Sequence, residues 1–435
     1  MQSVTSWGRV ARADHSVYEP AFADELADIL ATQAPCLAYG LGRSYGDSCL
    51  NTAGGLIRMH RLDRVLKVDW QAGVIRAEAG ISLGAILTLT VPRGWFLPVV
   101  PGTKFVTLGG AVANDVHGKN HEEAGSFGCH VRSLALLRST GELIEVGPAN
   151  EPQMFAATVG GLGLTGLILW VEVQLEPLPS AFFESEIIRL SNLEDFFVQV
   201  ERSRDWPYTV AWVDCFARGA ALGRGLFTRA RYAPDGGLRS HNGSPKFRMP
   251  IDLPVQLLCS PVLRMFNRVY GGWPAIGRQQ RVHYDSFLFP LDGIQEWNRL
   301  YGHAGFFQHQ SVVPLKSAPE ALRRILELTA SHRQGSFLGV LKLLGARASP
   351  GILSFPMEGA TFALDFPNRG QSTRNLLDWL ADIVLDAGGR LYPAKDATMS
   401  ATAFQTGYPR WREVENVRDP CLISDFWKRV TRAPA

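Results

Sequence analysis

A chain of 435 residues, 46% apolar and 20% charged, has enough material for two domains and an ordinary globular composition, which excludes disordered, collagen-like and coiled-coil classes. Its 44 basic and 41 acidic side chains leave a net charge of only +3, too balanced for a nucleic-acid binder. Six scattered cysteines (Cys36, Cys49, Cys129, Cys215, Cys259, Cys421) form no C-x-x-C pair, which argues against zinc, iron–sulfur and disulfide frameworks and points to a reducing, cytoplasmic compartment.

The first 20 residues lack a signal-peptide core, and no run approaches the ~20 apolar residues of a spanning helix, so the chain is expected to be soluble or at most peripheral to a membrane. From Pro35 to Pro179 short strands alternate with glycine-rich turns. GLGRSYGD at 40–47 reads G-x-G-x-x-x-G, one residue longer than the dinucleotide fingerprint. Residues 65–80 alternate apolar and polar about a turn at 71–73, a hairpin; Ser82 is the expected N-cap of a helix that Pro92 and Gly94 end. PGTKFVTLGGAVANDVHGKNH, from Pro101, reads as a functional loop region, 133–147 as a second hairpin turned at Thr140-Gly141, and LILWVEVQL as a strand.

Beyond Pro179, SNLEDFFVQVERSR and APEALRRILELTASHR have helical spacing. They alternate with expected strands TVAWVDCFA, HYDSFLFPL, FFQHQSVVPL, FLGVLKLLG and ATFALDFP, the pattern of an antiparallel sheet covered on one face. Residues 233–255, rich in glycine and proline, read as a surface loop or mobile lid. The expected class is therefore α+β with two domains, 1–179 completed by a C-terminal return at 390–435, and 180–389.

Gly161-Leu-Gly163-Leu-Thr-Gly166 fits the dinucleotide fingerprint, but a helical stretch precedes it and a strand follows, the reverse of what a diphosphate-binding turn requires. GLGRSYGD and the loop from Pro101 instead offer unencumbered backbone N–H groups, the material of an anion-cradling nest for one extended cofactor. His117, Lys119 and His121 cluster in HGKNH; no third ligand has a recognisable spacing, so no metal is expected and contact with an anionic group is the better reading. Gln308 and Gln310 share one strand face, and Lys342 is costly in an apolar strand unless it is paired or lines a polar cavity. Lys395 in LYPAKDA carries the same argument. No G-x-S-x-G, Walker A or H-E-x-x-H occurs, which leaves a redox flavoprotein as the leading class.

Taken together, GLGRSYGD, PGTKFVTLGGAVANDVHGKNH, AGSFGCHV, ATVGGLGLTGLI, PLDGIQEWNRLYGHAGFFQHQSVVP, LDFP and GGRLYPAKD resemble the FAD-containing decaprenylphosphoryl-β-D-ribose 2′-oxidase family of the vanillyl-alcohol-oxidase-like superfamily. The resemblance runs from about residue 35 to 410, with little match at 233–280. It implies an FAD-binding domain, a substrate domain on an antiparallel sheet, and oxidation of the ribose 2′-hydroxyl of a polyprenyl-phosphate sugar to a 2′-keto sugar. A short-chain reductase partner would complete the epimerisation to arabinose, in the cytoplasm or peripheral to the inner membrane.

Carried onto this chain, the resemblance implies FAD contacts from Gly40, Leu41, Gly42, Arg43, Ser44, Tyr45, Gly46, Asp47, Gly102, Thr107, Gly109, Gly110, Asn114, His117, Gly163, Gly166, Ile168 and Tyr392. Lys395, His117 and Tyr45 are the catalytic candidates, with Gln308, Gln310, Lys342, Tyr392, Trp212 and Lys119 on the substrate side. Related sugar oxidases often carry a flavin-linking histidine where Tyr45 stands, so FAD is expected to be held non-covalently. Ala363 and Thr361 replace a cysteine and an asparagine of the mycobacterial pattern. An oxidase of a soluble sugar, alditol or aldonolactone is the runner-up, and a non-catalytic FAD-binding scaffold the reading from another class.

Overall fold

The computed structural model describes residues 1–52, 54–234, 236–241, 247–254, 260–272, 277–332 and 334–431. Parts of the expected 233–255 lid lie outside these residues.

The N-terminal half is built on two sheets. Strands Gln2–Thr5 and Arg12–Tyr18 form an antiparallel hairpin, and Arg12–Tyr18 and Cys36–Tyr39 flank Gly55–Arg58 in parallel. The next sheet is antiparallel throughout, in the order Val65–Asp69, Val74–Glu78, Leu167–Gln174, Val131–Leu137, Leu143–Val146. Both expected hairpins form for local reasons. Asp69 Oδ1 accepts from the N–H groups of Gln71 and Ala72, each at 2.9 Å, while Gly73 and Gly141 take the positive φ their turns require. Ser82 caps Leu83–Thr90, its Oγ accepting from Ala85 N at 3.1 Å.

The larger sheet has eight antiparallel strands: Gln279–His283, Phe182–Leu190, Gly225–Tyr232, Tyr208–Val213, Val340–Leu344, Gly359–Pro367, Phe306–Val313 and Arg390–Leu391. Period-two alternation divides its two faces. Phe307, Leu341, Phe362 and Leu364 point into a core shared with Leu193–Glu201, Ala318–Ser331 and Gln371–Asp386. In Ala318–Ser331 the buried positions recur at i, i+3, i+4 (Ala318, Ala321, Leu322, Ile325, Leu326), so one apolar stripe seals that helix onto the sheet. The alternate residues Gln308, Gln310, Val340, Lys342, Thr361 and Ala363 therefore share the other face.

One expected strand is corrected. In HYDSFLFPL only His283 ends a strand, and Tyr284–Leu288 is a short helix started by His283 Nδ1, which accepts from Asp285 N. Its buried residues, Tyr284 and Leu288, are four apart, a spacing that fits a helix turn and a strand face equally well in so short a run.

The chain end packs back on the beginning. Arg429 Nη2 meets Asp47 Oδ1 at 2.7 Å, Cys36 N donates to Cys421 O at 2.8 Å, and Phe404, Tyr408, Trp411 and Trp427 join the main core. This return places Tyr392 and Lys395 against the glycine loop: Tyr45 N donates to Ala394 O at 2.9 Å.

Candidate active site

The free face of the large sheet and the glycine loops of the N-terminal half enclose a cavity of about 330 Å³. Its two walls are made of different material.

The first wall is backbone. Gly42 adopts φ 62°, and the N–H groups of Gly42, Arg43 and Ser44 have no hydrogen-bond partner among the described residues. A Cβ on Gly40 would lie 2.5 Å from Thr107 Oγ1, so the two loops touch only because this residue has none. Thr107 starts Leu108–Ala113, accepting from Gly110 N at 3.1 Å, and Gly109 N donates to Ala79 O at 2.8 Å. Nothing lies within 4 Å of a Cβ placed on Gly102 or Gly163, whose Cα atoms face open space. Asn114 Nδ2 donates to Gly110 O at 2.8 Å, and Tyr392 donates through its hydroxyl to Asn114 O at 2.9 Å, fixing both against the loop.

The second wall is side chains borne on strands. Gln310 Nε2 lies 3.0 Å from His117 Nε2 and donates to Thr361 Oγ1 at 3.4 Å. With the amide turned this way the imidazole proton sits on Nδ1, a buried atom that finds no partner among the described residues. Burial, reinforced by Lys342, His121 and Lys395, holds His117 neutral, well below the usual imidazole range.

Lys342 Nζ donates to Gly118 O at 3.1 Å, and burial lowers its pKa to about 8. Lys395 Nζ sits 3.9 Å from the centroid of the Tyr45 ring; burial lowers it to about 8 as well, against the pull of Asp365 and with the push of Lys342. Neither ammonium reaches a carboxylate at ion-pair distance among the described residues. Asp365 accepts from Gln308 Nε2 and is itself pushed up to about 7 by burial. The Tyr45 phenol stays neutral, raised first by burial and then by Asp365.

Four of the sequence-chosen residues do not line the cavity. Gly46 packs on the backbone of Asp396, where a Cβ would fall 1.6 Å from a carbonyl oxygen, and Asp47 is paired with Arg429. The Lys119 ammonium turns away to the carbonyls of Phe287 and Leu288, and Trp212 Nε1 donates to Phe337 O at 2.8 Å further out on the sheet. All the others line it: residues 40–45, Gly102, Thr107, Gly109, Gly110, Asn114, His117, Gly163, Gly166, Ile168, Gln308, Gln310, Lys342, Tyr392 and Lys395.

Sequence reasoning missed Trp7, Leu291, Asp292 and Trp297, which also line it. Trp7 N donates to Ser44 O at 2.8 Å, and the Arg43 guanidinium lies 4.0 Å from the Trp7 ring centroid. A tryptophan in the polar N-terminal stretch TSWGR was the available signal.

The residues present fit a flavin dinucleotide: unmet backbone donors for a diphosphate, glycines that leave an extended volume, and an orphaned His117 Nδ1–H. A family model described as an FAD binding domain matches residues 16–147. Over 98% of its length the chain is 35% identical to the decaprenylphosphoryl-beta-D-ribose oxidase of Mycolicibacterium smegmatis, covering 96% of that protein. The chain belongs to the decaprenylphosphoryl-β-D-ribose oxidase family. It is thus an FAD-dependent oxidoreductase acting on a CH–OH group, with the α+β, two-domain, vanillyl-alcohol-oxidase-like fold of that family. Likeness to other oxidases is partial: 27% identity to an alditol oxidase of a Streptomyces species over 40% of this chain and 42% of that one, and 28% to the L-gulonolactone oxidase of Bos taurus over 40% of each.

Proposed function

We propose that the protein oxidises the ribose 2′-hydroxyl of a polyprenyl-phosphate-linked ribose to the 2′-keto sugar, the first half of an epimerisation to arabinose. The observation that carries this reading is the pair of half-buried ammonium groups, Lys342 and Lys395, lining one cavity with no carboxylate at ion-pair distance among the described residues. A cation held largely out of bulk water without a counter-ion is costly, and an anionic ligand answers that cost; a neutral alditol does not.

Residues 1–179 with 390–435 form the FAD unit and 180–389 the substrate unit. The backbone wall at 40–45 and 102–110 holds the diphosphate, with Asn114, His117, Gly163, Gly166, Ile168 and Tyr392 along the rest of the cofactor and no covalent link. Bound FAD supplies the acceptor for the hydride that leaves the carbinol carbon. Lys395, steadied over the Tyr45 ring, orients and polarises the 2′-hydroxyl; Lys342 and Gln310 hold the sugar phosphate side, and His117 Nδ1–H donates to the bound ligands.

The keto product requires a hydride-donating reductase as partner. Among the described residues no helix is long and apolar enough to cross a membrane, and contact with the inner membrane is taken to be peripheral. The test is anaerobic mixing of the purified yellow protein with substrate. We expect polyprenyl-phospho-ribose to bleach the flavin and ribitol to leave it oxidised. The reverse preference favours the alditol reading, which rests on relatives whose likeness covers 40% of the chain.

A further inference from the structure

Helix Ser260–Gly271, SPVLRMFNRVYG, contains no acidic residue and carries Arg264 and Arg268. Its inner face packs behind the site. Leu263 is buried in one cluster with Tyr45, Trp297, Tyr301 and Phe306, and two of these, Tyr45 and Trp297, line the cavity. Asn267 Nδ2 donates to Asp214 Oδ1 at 2.8 Å, and Phe266 meets the edge of Phe337 at 5.7 Å, so the helix is fixed as the outer layer of the cavity wall.

Its outer face is apolar. Val262, Met265, Phe266 and Val269 follow the i, i+3, i+4, i+7 spacing of one helical stripe and are 43%, 66%, 43% and 65% exposed. A soluble surface does not ordinarily keep so ordered an apolar stripe, and basic residues flanking exposed aliphatic and aromatic ones are the composition of a helix that lies in a lipid headgroup layer.

We propose that this outer face docks the protein on an anionic lipid bilayer. The occupant is a bilayer rather than a protein for two reasons: the helix is purely basic, complementary to an anionic leaflet, and its inner side packs on residues that line a cavity whose substrate, on the reading above, carries a polyprenyl chain. Docked this way, the cavity wall lies against the layer that holds the lipid chain, and the sugar phosphate has a short way to Lys342 and Lys395.

The experiment is co-sedimentation of the holoenzyme with vesicles of phosphatidylcholine, with and without one third phosphatidylglycerol. The variants are Met265→Asp with Val269→Asp, and Arg268→Ser. We expect the wild type to sediment with the anionic vesicles and the double variant to lose at least about tenfold in partitioning. Arg268→Ser should lose about fivefold, and high salt should weaken the wild type. The double variant should still be bleached by a short-chain, water-soluble prenyl-phospho-ribose as the wild type is.

Equal sedimentation of wild type and double variant, or none by the wild type, overturns the proposal. So does a dimer broken by the double variant in analytical ultracentrifugation without vesicles, since the stripe is then a protein interface. Absence of bleaching in both proteins sinks the substrate reading and leaves the vesicle result to decide the docking by itself.

Discussion

The two walls of the cavity solve binding in opposite ways. The N-terminal wall presents backbone from glycine loops whose side chains are missing, so its contribution is fixed by chain path: Gly40 against Thr107, Gly109 against Ala79, Gly42 at positive φ. The sheet wall presents side chains from regular strands, Gln308, Gln310, Lys342 and Thr361, whose backbone is paired in the ladder. A backbone cradle holds a constant ligand and tolerates little change in sequence. Side chains on a rigid sheet can be exchanged one at a time without disturbing the strand, which suits the wall that meets the variable partner, the substrate.

If this division holds, changes in the second wall should uncouple chemistry from cofactor retention. The largest effect is expected at Lys395, which reaches the cavity from the C-terminal return. Lys395→Ala should slow substrate-driven bleaching by about 10²–10⁴-fold, the range for a positioned polar group at the reacting centre, while the protein stays yellow. Stopped-flow absorbance measures both, and unchanged bleaching removes Lys395 from the chemistry.

Next comes Lys342. Lys342→Met fills much the same volume without charge, so it should weaken the phospho-sugar by about 1.5–3 kcal/mol, roughly 10–150-fold in KM, with kcat changed only a few-fold. Removing a half-buried ammonium that has no carboxylate at ion-pair distance among the described residues should also leave the melting temperature level or raise it. A kcat collapse at unchanged KM would show that this lysine works on the reacting centre and not on the phosphate.

The first wall should respond in the opposite sense. A Cβ on Gly109 would lie 2.9 Å from the Ala79 Cβ, on a residue whose N–H is tied to the Ala79 carbonyl, so Gly109→Val must push the helix Leu108–Ala113 off its seat. Overpacking of this kind costs about 1–3 kcal/mol. The expected outcome is loss of bound FAD, read as the ratio of flavin to protein absorbance after gel filtration. Retention of stoichiometric FAD would mean that the loop path is not what holds the cofactor. Because no side chain of this wall is expected to bond the flavin, acid precipitation should leave the colour in solution.

The same division explains what was legible in the sequence. Backbone loops announce themselves through composition: GLGRSYGD and the run from Pro101 are too glycine-rich for core strands, and lining residues fall in both. Charges on apolar strands announce themselves through cost, which is how Lys342 stood out. The tail of the first loop was not legible, because whether Asp47 faces a ligand or Arg429 depends on a partner 382 residues away. Lys119 and Trp212 failed to reach the cavity for a similar reason, since their polar atoms are satisfied by the carbonyls of Phe287, Leu288 and Phe337, which no local pattern indicates. Conversely Trp7 enters the cavity only because its backbone is bonded to Ser44, a contact between elements that share no sequence signal.

The smallest effect is graded, and it follows from the charge state of the two cavity lysines, one on the sheet and one on the C-terminal return. Lys342 and Lys395 are each lowered to about 8, chiefly by burial. Below that pH both are ammonium ions and attract a phosphodiester, whose own charge does not change across the neutral and alkaline range. As pH rises through about 8 each loses its proton, so KM for the phospho-sugar should be flat at neutral pH and rise above 8, by at most about tenfold per pH unit for each lysine. The profile of kcat/KM reports the free enzyme, which is the state in which these lysines are unpaired. Lys342→Arg keeps a charge that does not titrate in this range, so its profile should lose one of the two inflections while the neutral-pH affinity stays close to that of the wild type. A KM that is level through pH 8, or an Arg variant with the wild-type profile, would mean that the anion is held by the backbone wall after all, and the division between the two walls would fail at the point where it makes its finest claim.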